Sequence, residues 1–312
     1  MIEVGDLVKR YGDTTAVDGV TFEVAPAELF GLLGPNGAGK STMIGVLSCL
    51  LRPTSGRARI GGHDVTTASP RVRRIIGVVP QDVALYPTLS ARANLHFWGG
   101  LYGLKRRELR RRVEEILDLV GLTDRAGGRI ETFSGGMKRR INIAAGLIHS
   151  PQVLFLDEPT VGVDPQSRRQ ILDLVRRLRG ERGVTVVYTT HYMEEASEIC
   201  DRIGVIDHGR LIALGTLDEL KRRHGDGAQI HLAYEGGDVE ALRARLAASP
   251  DVNGVATTGN GNLVIGSRAA GPTLGVLAAA AAASGGRIAS LRVEETTLET
   301  VFLRLTGRSL RD

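Results

Sequence analysis

Two stretches far apart in the chain hold the residue types that handle phosphate. The first, "GLLGPNGAGKST" (31–42), fits G-x-x-x-x-G-K-[ST] through Gly34, Gly39, Lys40 and Ser41. Glycines let backbone N–H groups converge on phosphate oxygens, and a helix starting at the loop adds the positive end of its dipole. Gly34, Pro35, Asn36, Gly37, Ala38, Gly39, Lys40, Ser41 and Thr42 are therefore candidate nucleotide contacts. Lys40 would neutralise the β- and γ-phosphates, and Ser41 would ligate Mg2+. The second stretch, "VLFLDEPT" (153–160), is an apolar run that ends in two acids. Asp157 is placed to hold Mg2+ through water. Glu158 is the candidate for positioning or deprotonating an attacking water.

These groups need a scaffold that brings strand ends together. "IEVGDLVKRYG" and "VDGVTFEVAPAELFGLLG" alternate as strands do, with turn residues between them. "STMIGVLSCLL" reads as an apolar helix, "GRARIGGHDV" as a short hairpin and "RIIGVVPQD" as a buried strand. Residues 88–148 are mostly helical by pattern and form a subdomain. "SRRQILDLVRRLRGERG" is an amphipathic helix, "VTVVYTTH" a buried strand and "DRIGVIDHGRLIALG" a strand–turn–strand. Strands alternating with helices predict an α/β core with a mainly parallel sheet.

The texture changes near "ELKRRHGDGAQ" (219–229). Beyond it the order β-α-β-β-α-β fits a ferredoxin-like α+β module. The expected domains are therefore 1–222 and 228–312. The alanine run 278–283 is helical by propensity. Glu294, Glu295 and Glu299 read as a solvated face and a helix start, and no catalytic constellation is evident after residue 228.

The resemblance to a family rests on "FSGGMKRR" (133–140) just upstream of "VLFLDEPTVGVD". This order is similar to the signature sequence of ABC-type ATPases. Five further elements fall in that family's order. They are the phosphate loop, Tyr11 as the adenine-stacking aromatic, Gln81 in "VVPQD", Asp164 in "VGVD" and His191 in "VYTTHYMEEA". The match covers about the first 220 residues. Phe133, Met137 and Val163 depart from the commonest family residues, but the polar positions are intact.

The resemblance implies a P-loop ABC cassette: a mainly parallel core, an antiparallel β subdomain and a helical subdomain. It implies a head-to-tail homodimer that sandwiches two ATP molecules. Ser134, Gly135 and Gly136 would face the γ-phosphate held by the other subunit. Gln81 would touch Mg2+, and His191 would stabilise the transition state. With Glu158 present, each copy would contribute a hydrolytic site. "SGGMKRR" and "VEETTLETVFLRLTGR" are similar to ATP-binding subunits of daunorubicin-resistance exporters. That implies a separate integral-membrane permease. The cassette would sit on the cytoplasmic face of the membrane, and the cargo would be drugs, antibiotics or other hydrophobic compounds. Exporters of polysaccharide, lipid or sodium have similar cassettes, and a soluble ABC ATPase is the other alternative. Tyr86, Phe97, Trp98 and Tyr102 read either as the helical subdomain's core or as anchors for the permease.

Bulk composition bears on the alternatives. The chain has 312 residues, a net charge of +5 and a pI near 9.5. A basic balance suits nucleic acid or anionic membranes. Here the arginines interleave with acids, as in "LKRRELRRRVEEILDLV", which is the pattern of a solvated helix face. No nucleic-acid partner is expected. Cys49 and Cys200 give neither metal-site spacing nor a disulfide framework, so two reduced thiols and a cytoplasmic location are expected. The N-terminus lacks the apolar stretch of a signal peptide, and no run approaches the roughly 20 apolar residues that span a bilayer.

Overall fold

The computed structural model describes residues 1–224, 227–258, 262–268, 270–294 and 296–306. It divides into two compact units, Met1–Thr216 and Leu217–Asp312. Glu295, Gly307 and Arg308 of the C-terminal motif lie outside the described residues.

The first unit opens with β1 (Ile2–Tyr11) and β2 (Thr14–Val24), an antiparallel pair with alternating burial. β3 (Leu29–Leu33) is buried at every residue and feeds the glycine loop and α1 (Lys40–Leu47). The apolar run continues to Leu51, but the helix does not. Cys49 takes a left-handed backbone (φ 61°), and the amides of Leu50 and Leu51 both donate to the Gly45 carbonyl. β4 (Ser55–Ile60) and β5 (His63–Asp64) make the expected hairpin and complete a four-stranded antiparallel sheet, β2-β1-β4-β5.

Next come α2 (Ser69–Ile75) and β6 (Ile76–Val79). The strand reading of "RIIGVV" needs correction, because Arg74 and Ile75 close a helix that Pro70 opens. The helical subdomain holds α3 (Ala91–Leu101), α4 (Arg106–Leu119) and α5 (Gly135–Leu147). The chain then runs through β7 (Val153–Asp157), α6 (Pro165–Arg182), β8 (Thr185–Thr190), α7 (Met193–Ile199), β9 (Arg202–Asp207) and β10 (Arg210–Gly215).

The core sheet has the order β10-β9-β3-β8-β7-β6. All its pairings are parallel except that of β10 with β9. β3, β7 and β8 are buried on both faces, which is why they read as continuous apolar runs instead of alternating ones. Phe22 and Phe30 stack with ring centres 5.0 Å apart and pin the antiparallel sheet to the parallel one. Strand register sets which residues meet at the sheet's edge. Leu33 pairs with Thr190, and Asp157 pairs with Thr189. The glycine loop, the two acids and the segment leading to His191 therefore leave the sheet along one carboxyl edge, where open α/β sheets bind ligands.

The second unit begins with α8 (Leu217–His224), which the sequence assigns to the domain before it. After it come β11 (Ala228–Glu235), α9 (Val239–Ala247), β12 (Val252–Thr257), β13 (Asn262–Ser267), α10 (Ala270–Ala283), β14 (Arg287–Glu294) and α11 (Leu298–Thr306). The strands form an antiparallel sheet in the order β12-β13-β11-β14. Leu242 and Leu246 of α9 and Leu277, Ala280 and Ala281 of α10 pack on Ile230, Leu232 and Ile265. The alanine run thus supplies a flat, low-entropy helix face to the sheet. Among the described residues, no helix is long and apolar enough to cross a membrane.

Candidate active site

The loop from Gly34 to Gly39 is held by backbone bonds before any side chain acts. The Gly34 amide donates to the Thr190 carbonyl at 3.3 Å, and the Gly209 amide donates to the Ala38 carbonyl at 3.0 Å. Gly39 is the N-cap of α1 with φ of 104°. A Cβ there would run into the Ala16 carbonyl, so both conformation and space demand glycine. Lys40 comes next, in a buried position. Its ammonium donates to the carbonyls of Gly34 (2.6 Å) and Pro35 (2.9 Å). Ser41 and Asn36 are exposed at the loop, and Thr42 is half-buried.

Lys40 also meets the acid pair. Its Nζ lies 3.0 Å from Glu158 Oε1, with both side chains almost wholly buried. Glu158 Oε2 lies 3.1 Å from His191 Nδ1. One residue at the start of α1 and two that directly follow β7 and β8 thus form one continuous polar contact. Glu158 has φ of 46°, a left-handed backbone that costs a non-glycine residue about 1–3 kcal/mol. Such strain persists only where surrounding contacts over-determine it, and here Glu158 contacts Lys40 and His191 while Asp157 contacts Thr189.

Thr189 joins the two acids. Its hydroxyl accepts the Glu158 amide at 2.9 Å and donates to Asp157 Oδ1 at 2.7 Å. Sequence reading missed this residue. The signal available was the pairing of a Thr-Thr strand end with an acid strand end, which only the sheet order reveals.

Gln81 is exposed after β6, and its backbone is gripped from the signature helix α5. Buried Arg139 donates to the carbonyls of Pro80 (3.0 Å) and Gln81 (2.6 Å). The Asn142 side-chain Oδ1 accepts the Ala84 amide at 3.1 Å. Neither residue was singled out from sequence, since a side chain reaching a distant backbone leaves no local pattern.

The signature residues have local tasks as well. Ser134 is the N-cap of α5, its hydroxyl accepting the Met137 amide at 3.3 Å. Ser134 and Gly135 are exposed, whereas Gly136 is buried. A Cβ on Gly136 would collide with Ser167, so this glycine lets α5 and α6 approach closely. Asp164 is the N-cap of α6 before Pro165, accepting from the Ser167 amide (2.9 Å) and hydroxyl (2.6 Å). Those bonds, the side-chain one first, hold its carboxyl below the usual range.

Tyr11 is exposed at the end of β1, with the Lys9 ammonium 5.0 Å from its ring centre. It is not part of the Lys40–Glu158–His191 contact. Tyr86 and Phe97 are exposed and meet edge-to-face at 4.7 Å. Trp98 instead packs on the helical core, and Tyr102 stacks on His149 at 3.6 Å. Cys49 and Cys200 are free thiols, and burial pushes the Cys200 thiol up from its ordinary range.

The residues read from sequence as Mg2+ contacts carry hard oxygen donors: the Ser41 hydroxyl, the Gln81 amide oxygen and the Asp157 carboxylate. Among the described residues, no cluster of three or more His, Cys, Asp and Glu could enclose a metal by itself. One carboxylate with neutral oxygens fits Mg2+, which keeps water and phosphate ligands, better than Zn2+.

The ABC transporter family profile matches residues 17–161. The linearmycin resistance ATP-binding protein of Bacillus subtilis (strain 168) is 48% identical, with 100% of each chain covered. The daunorubicin/doxorubicin resistance ATP-binding protein of Streptomyces peucetius is 41% identical, covering 100% of this chain and 94% of that one. Among solved structures, the dimeric post-hydrolysis ATP-binding cassette MJ0796 bound to ADP and Pi aligns with a TM-score of 0.63. That alignment has 28% identity and covers 70% of this chain and 99% of the other.

Proposed function

The chain belongs to the ABC transporter family as an ATP-binding, ATP-hydrolysing subunit, and we propose that it powers export of antibiotics or similar drugs through a separate integral-membrane permease. One observation carries the drug-export reading. Identity of 48% with a linearmycin resistance protein runs the full length, through the second unit as well as the cassette. In the native cell, a Lys40→Ala allele should lower the tolerated concentration of linearmycin or daunorubicin to that of a deletion. Equal tolerance in wild type and Lys40→Ala cells would reject drug export.

The proposed mechanism gives each site residue a role. The loop amides and Lys40 hold the β- and γ-phosphates, and Tyr11 stacks on adenine. Ser41, Gln81 and Asp157 would hold Mg2+, which supplies charge neutralisation on the phosphates. Phosphate oxygens compete with Glu158 for the Lys40 ammonium, leaving the Glu158 carboxylate to orient and take a proton from water. His191 donates to the γ-phosphate as charge builds there. Ser134 and Gly135, exposed at the start of α5, approach the γ-phosphate bound by a second copy, and Asp164 lies at that seam. This homodimer is seated on the cytoplasmic face of the membrane by its permease. The second unit, from Leu217 onward, supports assembly or regulation of the cassette.

Tyr86 and Phe97 are proposed as permease anchors because they are exposed, adjacent and attached to the Gln81 segment. The Asn94 side chain fixes that segment, accepting the Tyr86 amide at 2.8 Å. The double variant Tyr86→Ala/Phe97→Ala should keep ATP hydrolysis in the isolated chain. Its affinity for the membrane partner should fall by about 30-fold, as loss of a hot spot of about 2 kcal/mol does. Unchanged co-purification would remove the aromatics from the interface.

A further inference from the structure

One buried carboxylate has no part in the mechanism described so far. Glu195, in the first turn of α7, is only 2% exposed. Its Oε2 accepts three hydroxyls at once: Tyr188 at 2.8 Å, Thr160 at 2.9 Å and Thr190 at 3.0 Å. Its Oε1 lies 3.4 Å from Arg168 Nε on α6, and the Arg168 guanidinium sits 4.6 Å from the Tyr192 ring centre. Burial, and then the Glu195 charge, hold the Tyr188 phenol well above its ordinary range, so it remains a donor.

These donors stand at positions that flank the hydrolytic groups. Thr190 precedes His191 directly, and its hydroxyl also accepts the Tyr192 amide at 2.9 Å, bracketing the histidine. Its carbonyl accepts the amide of Gly34 in the phosphate loop. Thr160 stands two residues after Glu158, on the segment that leads to Asp164. Arg168 belongs to the helix that Asp164 caps. A single carboxylate therefore ties both sides of the Glu158–His191 contact to the start of α6. Burying a carboxylate carries a desolvation cost, which the three hydroxyls and Arg168 offset here, so the group stays in place only while all of these partners are held together. The arrangement makes sense as a device for fixing geometry.

We propose that Glu195 is a positioning residue for ATP hydrolysis, locking His191 and the segment after Glu158 into one unit. The inference rests on the reading of Glu158 and His191 as the hydrolytic groups. Glu195→Ala would strip three buried hydroxyls of their acceptor together, so it is a poor probe. Glu195→Gln keeps the shape and removes the charge, and Thr160→Val removes one tie without changing volume. Steady-state ATP hydrolysis by the full chain with its membrane partner should show kcat lowered about 10- to 100-fold in Glu195→Gln, the cost of a misplacement near 1 Å. KM for ATP should stay within about twofold of wild type, since the phosphate loop is not altered. Thr160→Val should move kcat in the same direction by less, and the double variant should be less than additive. A raised KM with kcat unchanged, or wild-type kcat in both variants, would overturn the proposal while leaving the hydrolytic reading intact. A wild-type protein with no turnover would instead overturn the hydrolytic reading and this inference with it.

Discussion

Glu158→Gln is expected to bind ATP, to dimerise and to lose about 10²- to 10⁴-fold of its turnover. The amide keeps the shape of the side chain but cannot take a proton from water. Binding should survive for an electrostatic reason. Glu158 Oε1 is 3.0 Å from Lys40 Nζ, so the carboxylate and an incoming phosphate seek the same ammonium. Removing the carboxylate's charge removes that competition and the repulsion between two anions. Slow hydrolysis with retained binding should then accumulate the ATP-bound dimer, visible by size-exclusion chromatography with Mg-ATP. Turnover within a few-fold of wild type would show that another group activates water.

Lys40→Ala should fail at the earlier step. The ammonium is buried and supplies the only formal positive charge that the described geometry places directly on Glu158 besides what His191 carries when protonated. In the ATP-bound state the same ammonium would pair with phosphate, and truncating one partner of such a buried interfacial pair costs about 2–5 kcal/mol, which is about a 30- to 4,000-fold loss of affinity. Equilibrium titration with a fluorescent ATP analogue measures this directly. The variant also leaves Glu158 buried without the lysine, so a lower melting temperature without nucleotide is expected alongside. Affinity within threefold of wild type would remove Lys40 from phosphate binding.

Both variants sit in motifs that the sequence reveals, while the contact between them is one that it conceals. The phosphate loop is legible because its chemistry needs fixed residue types at fixed spacing, and Gly39 has the left-handed backbone that favours glycine. The acids are legible because a doubly buried strand that ends in Asp157 and Glu158 breaks its own apolar pattern. The contact of Lys40, Glu158 and His191 is not legible, since it depends on which strands lie side by side. Thr189, Arg139 and Asn142 escape for a related reason: they act through single hydrogen bonds to distant atoms. Gly136 and Asp164 teach the converse. Each stands in the expected motif, yet each has a local structural task, helix packing in one case and helix capping in the other. Their motif positions alone do not separate these tasks from contact with a second subunit.

Element boundaries show the same limits. α2 is hidden in the sequence because its last residues are as apolar as the strand after them, and the start of α8 is hidden because its charges resemble a linker. Leu220 of this amphipathic helix is wholly buried, and α8 packs against α11 within the second unit.

Coupling of ATP chemistry in this chain to a membrane partner is open to direct test. Tagged Glu158→Gln would be recovered from detergent-solubilised native membranes with Mg-ATP present and analysed by mass spectrometry. A multi-helix membrane protein in stoichiometric amount is expected, with less recovered when Lys40→Ala is the bait. Absence of the tagged chain from membranes, with only soluble proteins bound to it, would contradict the coupling.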